Sequence, residues 1–406
     1  MGVKLTEKKL VTAMNADQTF LIVVDGALCR LSLSDLQKMM GNNIFYPTIT
    51  LEQSSNPKFD LPTPFMASMY QKAMGGYMMK VVNGKAYAAK LDPSNWEFFA
   101  DGTKVDNAAK YETMVHVPDC HFKADNKTLQ FGGLFPIAGG KTFDSPNWVG
   151  AYKMYVDGNG VGHSRPNVAP SHSGAILYFW GCAQKLGSNF GLANYGFQCL
   201  IEALYEVSFG DLNCQSVIGS GFQQSSWETC RNIPMGKWIS LGDGSGNVLY
   251  KDSTIGNQFP VKLFGFEDLW GKLCEFRTGI RFYMDGDTRY AVVYSGNRVS
   301  STADGRKFTI PSSVEGKYIT KKTLGTYWDA FPQANGGSNN TFYCASSFHS
   351  NSGTIMYAGA QSSLDGNNLF LIGSDINDNY AGSSTGARLS YYGNPTIVSG
   401  SELIAM

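Results

Sequence analysis

The sequence is poor in charge, and the charge it carries cancels. Of 406 residues only 16% are Asp, Glu, Lys or Arg, with 33 basic against 33 acidic. A neutral chain has no long-range field to gather phosphate backbones or anionic headgroups, so neither nucleic acid nor membrane insertion is expected. Long apolar runs are missing too. The longest, around Phe20 to Val24, is far below the roughly 20 residues that span a bilayer as a helix. The opening segment, MGVKLTEKKLVTAMNADQTF, has no apolar stretch of signal-peptide type, so export through a secretory leader is not expected. The eight cysteines (Cys29, Cys120, Cys182, Cys199, Cys214, Cys230, Cys274 and Cys344) include no C-x-x-C pair. The five histidines (His116, His121, His163, His172 and His349) include no H-x-x-x-H or H-E-x-x-H spacing. Neither a metal site nor a redox motif is expected, and no cofactor. The cysteines read as reduced, mostly buried small hydrophobes. Gly158, Gly160 and Gly162 lack the following Lys-Ser/Thr helix of a phosphate loop and read as a turn.

What is abundant is glycine, with 46 residues, and aromatic side chains, at 13%. Low charge with many Gly, Ser, Asn and Tyr residues points to a β-rich, loop-rich protein. Binding surfaces of antibody type share the bias, because Tyr gives rigid contact area while Ser, Gly and Asn adapt their hydrogen bonds. The length suffices for two or three domains.

Along the chain, residues 1–45 read as a small module. Thr19 to Val24 is a β-branched run, Asp25-Gly26 is a hairpin turn signal, and Ala27 to Leu33 continues as a strand. Ser34 caps a short expected helix, Asp35 to Met40, closed by Gly41. One hairpin and one helix bury little alone, which suits an attachment segment or a trimer stem. Residues 46–120 read as a β-rich linker domain. Met78 to Val82, Asn83-Gly84 and Lys85 to Leu91 form a hairpin pattern, and Trp96 to Ala100 precedes Asp101-Gly102. Residues 121–406 change character. An amphipathic helix is expected over 173–187, with Ser173 as N-cap, Ile176, Phe179, Trp180 and Ala183 on one face, and Gly187 as stop. A second is expected over 196–208, where Phe197, Leu200, Ile201, Leu204 and Val207 share a face before Gly210. Glycine-punctuated β structure and loops follow, so the class is α+β.

Several ordered motifs carry a resemblance. They are Trp148-Val-Gly-Ala-Tyr152, His163-Ser-Arg-Pro-Asn-Val-Ala-Pro170, Ala203-Leu-Tyr-Glu-Val-Ser-Phe-Gly210, Asn213-Cys-Gln215 and Ile218-Gly219. Gly265-Phe-Glu-Asp-Leu-Trp-Gly271, the strand containing Phe276, and Gly386-Ala-Arg-Leu-Ser-Tyr-Tyr-Gly393 complete the set. Together, over roughly residues 110–395, they resemble the C-type-lectin-fold domain of bacteriophage tail fibre and tip proteins. That group includes the variable proteins of diversity-generating retroelements. In the Gly265–Gly271 stretch the glycines permit tight turns, Trp270 offers a core anchor, and Glu267 and Asp268 can bond loop amides. Asp268 departs from the family, which more often has Asn there.

The resemblance implies a phage tail receptor-binding protein, located in the virion, made in the host cytoplasm and assembled as a homotrimer. Its implied partners are a bacterial host surface receptor, protein or polysaccharide, and other tail proteins met through the N-terminal module. It also implies a possible hypervariable surface over residues 325–385, where positions diversified at adenines would show Asn, Ser, Asp, Tyr, His, Gly, Phe or Ile. The candidate ligand-binding residues there are Tyr327, Trp328, Asp329, Phe331, Tyr343, Phe348, His349, Asn351, Tyr357, Asp365, Asn367, Asn368, Asp375, Asn377, Asp378 and Tyr380. The aromatics would be rigid anchors and the Asn and Asp side chains polar contacts. The alternative is that the aromatics are core and the polar residues ordinary turn formers. Catalysis is not expected. Formylglycine-type oxidation needs a reactive cysteine pair near the C-terminus, and only Cys344 follows Cys274. The calcium-binding Glu-Pro-Asn, Gln-Pro-Asp and Trp-Asn-Asp elements of animal lectins are absent from the sequence. A bacterial surface adhesin of the same fold and a polysaccharide-degrading enzyme with paired carboxylates remain as other readings.

Overall fold

A computed structural model describes residues 19–24, 27–32, 48–50, 65–125, 128–222, 230–299, 305–310, 319–323, 325–329, 331–335, 354–359 and 368–406. The chain divides into two compact units, residues 1–46 and 47–406. In the first, β1 (Thr19–Val24) pairs antiparallel with β2 (Ala27–Ser32), Val24 facing Ala27. That register leaves two residues, Asp25 and Gly26, for the connection, as the turn chemistry requires. The helix expected from Asp35 to Met40 lies outside the described residues.

The second unit contains, in chain order, α1 (Phe65–Ala73), β3 (Gly75–Val82), β4 (Lys85–Asp92), β5 (Glu112–His116) and β6 (Trp148–Lys153). Then come α2 (Ile176–Gln184), β7 (Phe190–Leu192), α3 (Tyr195–Phe209), β8 (Cys274–Asp285), β9 (Thr288–Val293) and β10 (Arg306–Thr309). β11 (Thr354–Ala358), β12 (Ile372–Ile376), β13 (Arg388–Tyr391) and β14 (Thr396–Ile397) follow. Helices with mainly antiparallel sheets make the unit α+β. Among the described residues no helix is long and apolar enough to cross a membrane.

The main sheet has the order β7–β13–β6–β5–β3–β4–β14. Strands from both sides of residue 120 therefore share it, and the span expected as a separate linker domain, 46–120, contributes β3, β4 and β5 to the same sheet as β6 and β13. The hairpin expected at Asn83-Gly84 joins β3 to β4, and both turn residues have positive φ, 51° and 76°. That is what a tight turn between twisted strands demands. β6 is buried at all six positions, because β5 and β13 flank it and packing covers both its faces. A second sheet runs β10–β9–β8–β11–β12. Its long strand β8 carries Gly279 at φ 82°, where the register with β11 shifts between Arg277 and Arg281. This is bulge geometry, for which glycine is suited. The core joins both sheets through Met79, Met114, Trp148, Phe190, Phe276, Ile355 and Leu389, with Phe179 of α2 packed among them.

The two anticipated helices form, with one correction. α3 begins at the cap Asn194, whose side chain accepts from the Phe197 amide, and ends at Gly210 in the left-handed conformation. Phe197, Leu200, Ile201, Leu204 and Val207 are all buried, but so are Gln198, Glu202 and Glu206, so α3 is a core helix. α2 starts at Ile176, and Ser173 does not cap it. Ser173 has φ 63°, its hydroxyl meets His172 Nδ1 at 2.7 Å, and its amide donates to the Gly382 carbonyl. Tertiary partners thus claim the residue that local sequence assigned to the cap.

A buried ionic network ties the framework together. Glu275 of β8 meets Lys153 of β6 at 2.7 Å, Arg277 at 2.7 Å and Arg388 of β13 at 2.6 Å. Arg388 also donates to the carbonyls of Gly150, Ala151 and Glu267. Arg277 donates to Gln198 of α3. Burial pushes the Glu275 carboxyl up, but Arg388, Lys153 and Arg277 outweigh it and hold it well below the usual carboxylate range. In the Gly265–Gly271 stretch, Gly265 and Gly271 have φ 86° and 82°. There Trp270 is fully buried and donates to the Gly219 carbonyl, while Glu267 accepts from the Gly236 amide.

Candidate functional site

The segment 325–329 turns sharply: the Trp328 amide donates to the Gly325 carbonyl at 2.8 Å, and Trp328 has φ 59°. The turn sends neighbouring side chains opposite ways. Trp328 is fully buried, whereas Tyr327 is 43% exposed. Trp328 is therefore a core residue and not the exposed anchor expected. Asp329 is buried and gripped by Arg306 of β10, with Nη2 to Oδ1 at 2.7 Å and Nη1 closing on Oδ2. The Tyr195 hydroxyl donates to the same Oδ1 at 3.1 Å. Burial pulls the Arg306 guanidinium down, but Asp329 more than compensates and leaves it raised. The guanidinium also lies 4.0 Å from the centre of the Tyr327 ring, as does the Lys141 ammonium. Cations at that distance are attracted by the ring quadrupole. Tyr327, Arg306, Asp329 and Tyr195 thus form one chain of contacts.

This chain lines a cleft of about 560 Å³. Its other walls come from Phe122, Phe143 and Asp144, from Cys199 on α3, and from Tyr294 and Arg298 after β9. Phe122 and Phe143 stack at 4.1 Å. Asn194 places the start of α3 here, because its Nδ2 donates to the Asp144 carbonyl at 2.7 Å. A side chain at Gly196 would meet that carbonyl oxygen at 1.9 Å, so only glycine lets the loop lie against the helix. Burial raises the phenols of Tyr195 and Tyr294 above their ordinary range, which keeps both protonated and able to donate. Both Asp329 oxygens are occupied by Arg306. The cleft accordingly brings fixed hydrogen-bonding groups and aromatic side chains together.

Other candidates gather on the second sheet. The Tyr357 hydroxyl of β11 donates to Asp375 of β12 at 2.8 Å. The tyrosine ring crosses Gly373, where an added Cβ would lie 1.9 Å from it. Asp378 pairs with Arg281, and Asn377 accepts from the Asn379 amide within a turn. Asp375 and Asn377 are exposed, and Tyr380 is 37% exposed. Asn368 departs from expectation: it is fully buried and its side chain accepts from the Phe370 amide, a loop-fixing role. Tyr343, Phe348, His349, Asn351, Asp365 and Asn367 lie outside the described residues, as does the side chain of Phe331, whose backbone opens the strand Phe331–Asn335.

Sequence reasoning missed Tyr195, Arg298, Arg306 and Asp144. The nearest reading was the helix expected over 196–208, which marked no site. Cys120, Cys182, Cys199, Cys214, Cys230 and Cys274 are buried thiols outside any disulfide. Among the described residues no cluster of three or more His, Cys, Asp or Glu side chains could hold a metal ion. Comparison with protein-family models gives no match, and comparison with curated proteins gives none either.

Proposed function

We propose that the chain is a receptor-binding protein of a phage tail fibre or tip. Its C-terminal region would be a C-type-lectin-fold domain that adheres to a bacterial surface molecule without acting on it. The observation that carries this is the cleft at Tyr327 and Asp329. A segment expected to contact ligand emerges beside a polar, aromatic recess whose groups are already locked in place. The rest of the segment, from Tyr357 to Tyr380, contributes exposed Asp375, Asn377 and Tyr380. Residues 1–45 would attach the protein to other tail proteins, and three copies would assemble.

The behaviour of the motifs supports the scaffold half of this proposal. The strand of the first motif pairs with the strand of the last, Trp148 opposite Tyr391 and Val149 opposite Ser390. Arg388 of the closing motif bonds the first motif at Gly150 and Ala151 and the middle one at Glu267, beside Glu275 and Phe276. Motifs far apart in the chain thus meet at one buried point, which is how a framework under exposed loops is built.

The test is direct. Mass spectrometry of purified virions should find the chain among the particle proteins, and antibodies raised against it should block adsorption to the propagating host. Analytical ultracentrifugation should give a trimer. A monomer absent from virions, or particles that adsorb normally with the antibody bound, would sink the proposal.

A further inference from the structure

The chain at the end of the Gly265–Gly271 stretch holds a second buried pair of opposite charges, built unlike the network at Glu275. We infer that the Lys272 amine and the Asp268 carboxyl condense to an isopeptide bond, with the neighbouring Glu267 carboxyl relaying the protons. The protein then carries a covalent cross-link of its own making.

Backbone conformation sets up the pair. Asp268 and Lys272 have φ 54° and 66°, left-handed values uncommon outside glycine, and Gly271 between them has φ 82°. The Asp268 amide donates to the Val261 carbonyl and the Gly271 amide to the Gly359 carbonyl, both at 2.9 Å, so bonds to distant strands hold the turn in this form. The turn brings two side chains four residues apart face to face. Lys272 Nζ lies 3.3 Å from Asp268 Oδ2, and the two side chains are 0% and 1% exposed. Groups held about 3–3.5 Å apart and away from water gain the high effective concentration of an intramolecular reaction.

As an ion pair these residues are poorly served. Glu275 receives hydrogen bonds from Lys153, Arg277 and Arg388 on both of its oxygens. Asp268 has one long side-chain contact, to Lys272, and its buried Oδ1 has no hydrogen-bond partner among the described residues. Burial of two ions is repaid only by good geometry and by bonds to the remaining lone pairs. A neutral amide removes both charges and that cost. The Lys153–Glu275 pair is the internal contrast. It is as deeply buried and closer, at 2.7 Å, but three cations hold Glu275 as an anion well below the usual carboxylate range, so it stays unreacted.

Glu267 completes the set. Its Oε1 accepts from the Gly236 amide, whereas its Oε2 is buried with no hydrogen-bond partner among the described residues. Burial first, then the Asp268 charge, push this carboxyl up to about 7, against the pull of Lys272 and Lys262. Near neutral pH it can therefore both take and give a proton. The step balances without a co-reactant. The Nζ–Cγ bond forms and a Cγ–O bond breaks. The ammonium gives up two protons, and the departing carboxylate oxygen takes both and leaves as water.

Intact-mass spectrometry of the purified, denatured full chain should read one water below the mass of its sequence. Trypsin should fail to cut after Lys272 and should release Leu263 to Arg277 as one peptide lacking a water, with fragment ions placing the link between Asp268 and Lys272. Lys272→Arg keeps the charge, removes the amine and should restore the full mass. Glu267→Gln should slow the loss of water by about tenfold or more, followed in freshly purified protein. A wild-type chain at full mass, a normal cut after Lys272, a water loss that survives Lys272→Arg, or an equal rate in Glu267→Gln would each overturn the assignment. Circular dichroism checks that the variants fold, and the wild-type mass decides alone if one does not.

Discussion

Glu275→Gln is the sharpest probe of the framework. It keeps the side-chain shape and removes the one negative charge that Lys153, Arg277 and Arg388 share. Glu275, Lys153 and Arg388 side chains are 0% exposed, and Arg277 is 1% exposed, so water cannot replace the lost carboxylate. Breaking a buried ion pair from one side costs about 3–5 kcal/mol. The loss should stay in that range despite three partners. Arg388 keeps its bonds to the Gly150, Ala151 and Glu267 carbonyls, and Lys153 keeps the Leu273 carbonyl at 3.0 Å. With an unfolding entropy of about 2.1 cal/mol/K per residue over residues 47–406, the melting temperature should fall by roughly 4–7 °C. Calorimetry at neutral pH reads this, and urea unfolding followed by circular dichroism gives the free energy. Adding Lys153→Met removes one of the stranded cations and should recover part of the loss. The acid limb adds a sign. The folded Glu275 carboxyl lies well below its ordinary 4.5, so its stabilisation is fully present above that value and is lost as pH falls through the folded one. The deficit of Glu275→Gln should therefore shrink in strong acid. A loss below about 1 kcal/mol, or a double variant worse than the sum of its parts, would refute the view that this charge is the keystone of the network.

Trp328→Ala should cost about 3–5 kcal/mol by emptying a core position, whereas Tyr327→Ala should cost about 1–2 kcal/mol by removing two cation–π contacts, a contrast visible in urea midpoints. Asn194→Ala should cost about 1 kcal/mol by removing the cap of α3, and should loosen the loop at Asp144, measurable as faster amide exchange there. Lys153 is pushed down by burial, against the pull of Glu275, from 10.5 to about 8. The unfolded chain then holds that proton more tightly, so wild-type stability should gain on Lys153→Met as pH rises through about 8 towards 10.5. Urea unfolding across that window checks the sign. Adhesion to host cells should change less than about twofold between roughly 0.05 and 0.5 M salt, and a steep fall would contradict the contact chemistry proposed.

Much of the local architecture was legible because it depends on neighbours in sequence. The Asn83-Gly84 turn, the α3 periodicity from Phe197 to Val207, and the anchoring role of Trp270 all follow from residues within a few positions of one another. What was not legible depends on distant partners. Nothing near Trp148 announces that Tyr391 lies beside it, and nothing near Met78 shows that its strand shares a sheet with residues 388–391. The same limit separates Tyr327 from Trp328. Both are aromatic turn residues by sequence, and only the left-handed backbone at Trp328, set by the turn from Gly325, decides which one points inward. The cleft is the extreme case, since segments near residues 122, 143, 195, 294, 306 and 327 each supply part of it.

The scarcity of charge acquires a meaning once burial is known. Glu112, Lys153, Lys262, Glu267, Asp268, Lys272, Glu275, Arg277, Arg281, Asp329 and Arg388 are all buried. A chain with few charges thus spends a sizeable share of them inside, where opposite signs meet: Glu275 with its three cations, Lys272 with Asp268, and Arg306 reaching in to Asp329. With equal numbers of opposite charges overall, the chain has no net charge to give its surface a long-range field. Such a surface cannot steer a partner from a distance, because steering needs a field that reaches beyond the screening length. It can hold one through short-range contacts of fixed geometry. Inside, opposite charges set the framework in register, and in the proposed adhesion role short-range contacts would hold the ligand.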